Sequence, residues 1–259
     1  MDNGSSEYEV DTIIDENRNR TAISIARESP VTIMLNNKEL VTLLCSPTDL
    51  NYLAIGYLSS EGFISNKNEI ERVLVDNRNG IVRVTTTQDK PIEQLNHYKR
   101  MITSGCGRGV SFYSEVDIAT RKIESKLQIS ASRIIQLVKE FQMSSPIYKA
   151  THGVHSAALC DKEHILIFKE DIGRHNAIDK IFGKCLQEDI PIDNKMVITS
   201  GRISSEIVFK VARRHIPIII SISAPTDLGI KTAEKLGITL VNSVRGTRMI
   251  VSTNVWRIK

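Results

Sequence analysis

The chain has 259 residues, of which 41% are apolar and 25% charged, with a formal net charge of +4. That balance excludes disordered and fibrous classes and fits one large folded domain or two modest ones. The charge is too mild to argue for nucleic acid, although it suits a site that attracts a small polyanion.

No apolar run reaches the length of a membrane span, and the polar stretch Met1 to Asn19 lacks the basic and apolar regions of a signal peptide. The expectation is a cytoplasmic protein with no membrane partner. Cysteines stand at 45, 106, 160 and 185 without close pairing, so free thiols are expected, and neither a disulfide framework nor a tetrathiolate metal site.

After the polar head, Val31 to Leu35 and Leu40 to Cys45 have strand character on either side of Asn36, Asn37 and Lys38, which predicts a hairpin. Ser46, Pro47 and Thr48 then open a helix whose Leu50, Leu53, Ala54, Tyr57 and Leu58 recur at helical spacing. Ile70 to Val75 and Ile81 to Thr87 flank Asn77 to Gly80 as a second hairpin. The first hundred residues read as a small α+β unit.

From Ser130 the rhythm changes to repeated strand, turn and helix. A helix carries Ile134, Ile135, Leu137, Val138 and Phe141 on one face. Strands are expected at Ile165 to Phe168, Met196 to Thr199, Ile216 to Ile222 and Ile238 to Val241, with helices starting near Arg174, Ile203 and Asp227. Met249 to Ser252 closes the chain as a hairpin strand. This alternation predicts an α/β fold with a mixed or parallel sheet covered by helices. The boundary falls between Tyr113 and Ser130, giving an N-terminal α+β domain over 1–125 and a second domain over 126–259.

Three segments concentrate chemistry. Thr103 to Gly109 sets three glycines around Cys106, a pattern that leaves a sulfur uncrowded on a loop, with Arg100 and Arg108 near it in sequence. The thiol is either reactive or incidental to a flexible loop; Cys45, Cys160 and Cys185 sit in or beside apolar runs and read as core. The second segment, Lys169 to Lys180, follows a strand and opens a helix at Arg174 and His175, where free backbone N–H groups favour an anion. A capped helix with a solvated first turn is the plain alternative. The third, Ser200, Gly201 and Arg202, repeats the strand-end theme, and such strand ends line ligand crevices in open α/β sheets. The final turn, Ser243 to Arg248, adds Arg245 and Arg248. His152 and His155 lack the further ligands that would complete a zinc set, so no metal site is expected, and polar ligand contacts or structural roles remain for them.

These strings resemble the FdhD family, accessory sulfurtransferases for formate dehydrogenase, from about Arg20 to the C-terminus. The likeness rests on Ser-Gly-Cys-Gly at 104 to 107, Thr-His-Gly-Val-His-Ser-Ala at 151 to 157, Glu-Asp-Ile-Gly-Arg-His-Asn-Ala-Ile-Asp-Lys at 170 to 180 and Thr-Ser-Gly-Arg at 199 to 202. The resemblance implies a sulfur carrier that takes sulfur from a cysteine desulfurase as a persulfide on Cys106. It passes that sulfur to molybdenum cofactor in its bis(molybdopterin guanine dinucleotide) form, before insertion into formate dehydrogenase; a guanine nucleotide would mimic the cargo.

The same resemblance implies a cytidine-deaminase-like second domain, a homodimer, and cofactor contacts at Ser243, Val244, Arg245, Gly246, Thr247 and Arg248. Arg174, His175, Ser200, Gly201 and Arg202 would complete the anion site. Zinc deaminase chemistry is not expected, because the corresponding turns hold Glu170-Asp171 and Ser200-Gly201-Arg202 where a deaminase needs its metal ligands. Where many family members carry Cys-x-x-Cys in the loop, this chain has Gly109 at the second position. The rival reading is a cofactor-binding chaperone in which Cys106 is a bystander.

Overall fold

The structure is a computed structural model that describes residues 4–88, 99–102, 110–113 and 122–259. Its first element is a hairpin: β1 (Ser5–Ile14) and β2 (Asn17–Ala26) pair antiparallel along their whole length and join no other described strand. The polar head of the sequence is therefore mostly strand, hidden by charged and hydroxyl residues that both strands hold in solvent.

β3 (Ser29–Leu35) and β4 (Lys38–Cys45) form the expected hairpin, its turn carried by Asn36 and Asn37 with positive φ, a conformation asparagine tolerates. With β5 (Ile70–Asp76) and β6 (Ile81–Thr86) they make a four-stranded sheet in the order β4-β3-β6-β5. β7 (Lys99–Ile102) and β8 (Val110–Tyr113) pair as a separate hairpin. The 103–109 segment between them, including Cys106, lies outside the described residues.

The second sheet has six strands in the order β10-β9-β11-β12-β13-β14. These are β9 (His155–Cys160), β10 (Ile165–Asp171), β11 (Met196–Thr199), β12 (Ile218–Ser221), β13 (Thr239–Arg245) and β14 (Arg248–Thr253). β11, β12 and β13 run parallel, while β9 lies antiparallel to β11 and β14 antiparallel to β13. The fold is thus α/β with a mixed sheet.

Helices α2 (Ala131–Met143) on one face and α4 (Arg174–Gln187), α5 (Ser205–Ala212) and α6 (Asp227–Leu236) on the other cover that sheet. Ile134, Leu137 and Phe141 of α2 pack with Ala158, Ile198 and Ile220, whereas Ile178 and Ile181 of α4 pack with Leu159, Val197 and Ile219. β9 escaped the sequence reading because its His-Ser start and paired alanines lack strand propensity. A short helix, α3 (Pro146–Thr151), was also unforeseen, although Ser-Pro is a fair helix-start signal.

The two sheets meet through helices. α1 (Leu50–Ser60) is buried from Leu53 through Ser60, far more than one amphipathic face, because the four-stranded sheet lies on one side and α4 on the other. Its backbone touches that of α4: a Cβ at Gly56 would fall 1.8 Å from the Asp179 carbonyl oxygen, and one at Gly183 would fall 1.8 Å from that of Tyr52. Only hydrogen fits at either crossing point.

Polar residues finish the contact. Lys180 Nζ lies 2.6 Å from Asp171 Oδ2 with both side chains wholly buried, and it donates to the carbonyls of Ser46 and Glu170 at 3.2 and 3.3 Å. Asp171 also accepts from Ser46 N–H at 3.1 Å, and Asn176 bridges Asp171 and the Leu44 carbonyl at 2.9 Å each. Further along α4, Asp179 accepts from Ser60 Oγ at 2.7 Å and from Lys210 at 2.9 Å.

Two expectations follow. Gly56→Ala should destabilise the chain by about 3 kcal/mol or more, beyond ordinary core overpacking because the clash is with backbone. Lys180→Met should cost about 3–5 kcal/mol, since it strands a buried carboxylate. Urea unfolding of both variants checks these values; a loss below about 1 kcal/mol for Lys180→Met would mean that the pair adds little to the fold.

Candidate functional site

Strand polarity gathers the chemistry at one edge of the six-stranded sheet. The ends of β10, β11 and β12 and the start of β9 lie together there: Asp171 pairs with His155, Thr199 with Ala157, and Thr199 also with Ser221. A hydrogen-bond ladder ties the edge. Ser221 Oγ donates to the Gly201 carbonyl at 2.8 Å, Ser223 N–H to Ser221 Oγ at 2.9 Å, and Ser243 N–H to the Ser223 carbonyl at 3.1 Å.

A cleft of about 480 Å³ opens at this edge, lined by Phe141, Tyr148, His152, His155, Ser200 and Ile222 among others. Its walls mix aromatic and aliphatic side chains with serine, histidine and glutamine groups, a makeup that can hold a small molecule and fix its orientation. The floor is built from Ser200, whose Oγ accepts from Ser156 N–H at 2.9 Å and sits 3.3 Å from His155 Nδ1. Burial, with the nearby charges of Arg174, His175 and Arg202, lowers the His155 pKa below the ordinary histidine value. Its surroundings thus favour the neutral ring. The Ser200 hydroxyl, accepting from the backbone, is within hydrogen-bond distance of Nδ1 and orients the ring.

One wall is held by a carboxylate. Glu170, buried at the end of β10, accepts from Ser145 Oγ at 2.6 Å and from the N–H groups of Ile147 and Tyr148 at 3.2 and 3.0 Å. It thereby caps α3, which carries Tyr148 and leads into His152 and the cleft.

The sequence-predicted residues divide. Arg174 opens α4 and lies over Gly201, where a Cβ would come within 2.7 Å of the Arg174 Cβ, so the absence of a side chain admits the arginine stem. His175 Nε2 is 2.9 Å from Glu206 Oε2 in a contact of poor hydrogen-bond linearity. Burial lowers the His175 pKa, and the histidine contact lowers that of Glu206. Arg202 is exposed beside the cleft, and the Ser204 hydroxyl at the start of α5 is buried with no partner among the described residues. Arg174, His175, Ser200, Gly201 and Arg202 thus share one edge.

Ser243 joins that edge through its backbone, in a left-handed conformation with φ of 52°. Val244 points into the sheet core at 1% exposure, while Arg245, Gly246, Thr247 and Arg248 form an exposed turn with open space around Gly246. The polar string at 170–180 differs most from its sequence reading. Glu170, Asp171, Asn176, Asp179 and Lys180 are buried structural groups, neither a solvated first turn nor anion ligands; only Arg174 and His175 turn toward the edge. Phe141, Tyr148 and Ile222 were not foreseen as lining, since apolar residues on a helix face or strand end look like ordinary core.

No group of three metal-ligating side chains occurs among the described residues, and no described helix is long and apolar enough to cross a membrane. The model of the FdhD/NarQ family matches residues 26–259. The chain belongs to that family. It is 43% identical over 235 residues to the sulfur carrier protein FdhD of Bacillus pumilus, covering 90% of each chain, and 42% identical over 233 residues to that of Bacillus subtilis, covering 90% and 89%. A solved structure from Desulfotalea psychrophila, described as a formate dehydrogenase accessory protein, superposes with a TM-score of 0.79 at 28% identity, covering 98% of this chain and 99% of the other.

The two depressed histidines make stability depend on pH in a definite direction. Below about pH 6.5 the unfolded chain binds protons that the folded chain refuses, so stability is fully present above that value and falls as pH drops toward the folded pKa values. Thermal melts between pH 7.5 and 5.5 should show a decreasing midpoint, with a shallower decrease in His155→Gln/His175→Gln. An unchanged slope in the double variant would show that other groups control this range.

Proposed function

We propose that this chain is a sulfur carrier serving formate dehydrogenase, with Cys106 as its persulfide-bearing residue. The observation that carries the proposal is the state of the other cysteines. Cys45, Cys160 and Cys185 are buried free thiols, and burial pushes their pKa values up to about 12, 12 and 11. A thiol so placed is neither ionised nor accessible, as sulfur exchange requires. Cys106, flanked by glycines in the sequence, is the remaining cysteine.

In this reading the Cys106 thiolate attacks the terminal sulfur of a cysteine desulfurase persulfide. A new S–S bond forms as the donor's S–S bond breaks, the donor cysteine leaves as thiolate, and the oxidation level is conserved. The acceptor is molybdenum cofactor as bis(molybdopterin guanine dinucleotide), bound as cargo on its way to formate dehydrogenase. Its pyrophosphates suit the edge where Arg174 and Arg202 supply charge and the α4 and α5 N-termini supply N–H donors; the unpartnered Ser204 hydroxyl supports an oxygen-rich ligand there. Arg245 and Arg248 would extend the positive surface. A cytidine-deaminase-like description suits the mixed sheet, a homodimer would offer two such edges, and a cytoplasmic setting fits the free thiols.

Mass spectrometry after incubation with a cysteine desulfurase and cysteine tests the carrier step. One added sulfur atom is expected on Cys106 of the wild type and on Cys45→Ala, Cys160→Ser and Cys185→Ser, with none on Cys106→Ala. Equal loading of Cys106→Ala would sink the proposal.

A further inference from the structure

Among the described residues no side chain of the β1–β2 ribbon lines the cleft. The family match begins at residue 26, at the ribbon's root, and leaves nearly all of it outside. The root is well fixed: Arg27 N–H donates to the Gly4 carbonyl at 2.9 Å, Gly4 is buried against Ile147 of α3, and Ala26 packs on Gly153. Beyond it, ten paired residues at strand rise carry the ribbon about 34 Å from root to tip.

Register assigns its faces. Tyr8 pairs with Ile23, Ser6 with Ile25, Val10 with Thr21 and Ile14 with Asn17, so Tyr8, Val10, Ile14, Ile23 and Ile25 share one side. Glu7, Glu9, Asp11, Arg18 and Arg20 share the other with Ile13, and Arg20 pairs with Glu9 there at 2.9 Å. The ribbon is amphipathic, and among the described residues its apolar side stays largely open away from the root, where β2 meets α3: Tyr8, Ile14, Ile23 and Ile25 are 56%, 62%, 42% and 41% exposed.

An isolated two-stranded ribbon is marginal in water and needs its apolar face covered. The open apolar surface is on the order of 400 Å², the size of patch that marks an interaction site. We propose that the ribbon is an exchange arm whose Tyr8–Ile14–Ile23–Ile25 face packs on a second copy of this chain. Area selects that occupant. One arm on an unrelated partner buries about 800 Å² counting both sides, no more than an incidental contact, whereas two arms exchanged across a two-fold axis bury about 1,600 Å², the standard size of a stable interface. Met143, exposed at 64% just before α3, on which the ribbon root packs, offers apolar surface to receive the partner's arm.

This inference rests on the homodimer reading above and names its contact. Light scattering coupled to size exclusion, at micromolar full-length protein, tests it with Ile23→Lys, with Ile14→Lys at the tip farthest from the body, and with the charged-face control Glu7→Gln/Asp11→Asn. A dimeric wild type and control, with both lysine variants at half the mass and wild-type circular dichroism, is the expected result. Should Ile23→Lys misfold, Ile14→Lys alone decides. Lysine variants that remain dimeric would overturn the arm while leaving the homodimer reading intact; a monomeric wild type would overturn both.

Discussion

The geometry of this molecule depends on one buried ion pair, Lys180 with Asp171. Burying two charges is costly, and the cost is offset only where the remaining donors and acceptors are filled. Here the ammonium has a carboxylate and the Ser46 and Glu170 carbonyls around it, while Asp171 accepts from the backbone of Ser46 and Gly173 and from Asn176. Each of those groups belongs either to the segment leaving β4 or to the end of β10, the turn after it and the first turns of α4. The pair therefore fixes how the four-stranded sheet docks on the six-stranded one, and because Asp171 pairs with His155, it also fixes the edge where the cleft opens.

That docking explains why two adjacent stretches of similar polarity do different work. Asn176, Asp179 and Lys180 of α4 are held by the end of β10, by groups more than a hundred residues away and by α5. Arg174, at the first position of α4, lies over Gly201. The edge thus keeps positive charge close to His155, which disfavours protonation of its ring. Glu170 shows the same economy, spending its carboxylate on α3 and so placing Tyr148 at the cleft.

Much of this was legible in the sequence where local chemistry decides the outcome. The β3–β4 turn is announced by its asparagines, α1 and α2 by their apolar spacing, and the β11 to α5 and β12 to α6 units by strand runs ending in turn residues. The parts that stayed hidden are those decided at long range. The local sequence offers Lys180 a partner in Asp171 but does not show that Asp179 and Lys180 are buried, because Ser60, Ser46 and Lys210, which also bind them, come from distant elements. β1 and β2 lack the composition of strands since both lie in solvent, and β9 looks too small and polar at its start. For the site, the turn at Ser200 to Arg202 was visible as a strand end, but the apolar part of the cleft wall was not, because lining and core use the same residues.

The distribution of cysteines bears on how a single-thiol carrier could hold its cargo. A persulfide is lost when a second thiolate attacks it, forming a disulfide and expelling sulfide. In a loop with a second cysteine that attack is local; Gly109 removes it here. The fold removes the rest, because Cys45, Cys160 and Cys185 lie at 0%, 0% and 5% exposure with thiols far from ionising near neutrality. In the proposed reading, then, sulfur on Cys106 has no competing nucleophile among the chain's own thiols. Its release is left to an external acceptor, which is the property a carrier needs and a thiol redox switch lacks.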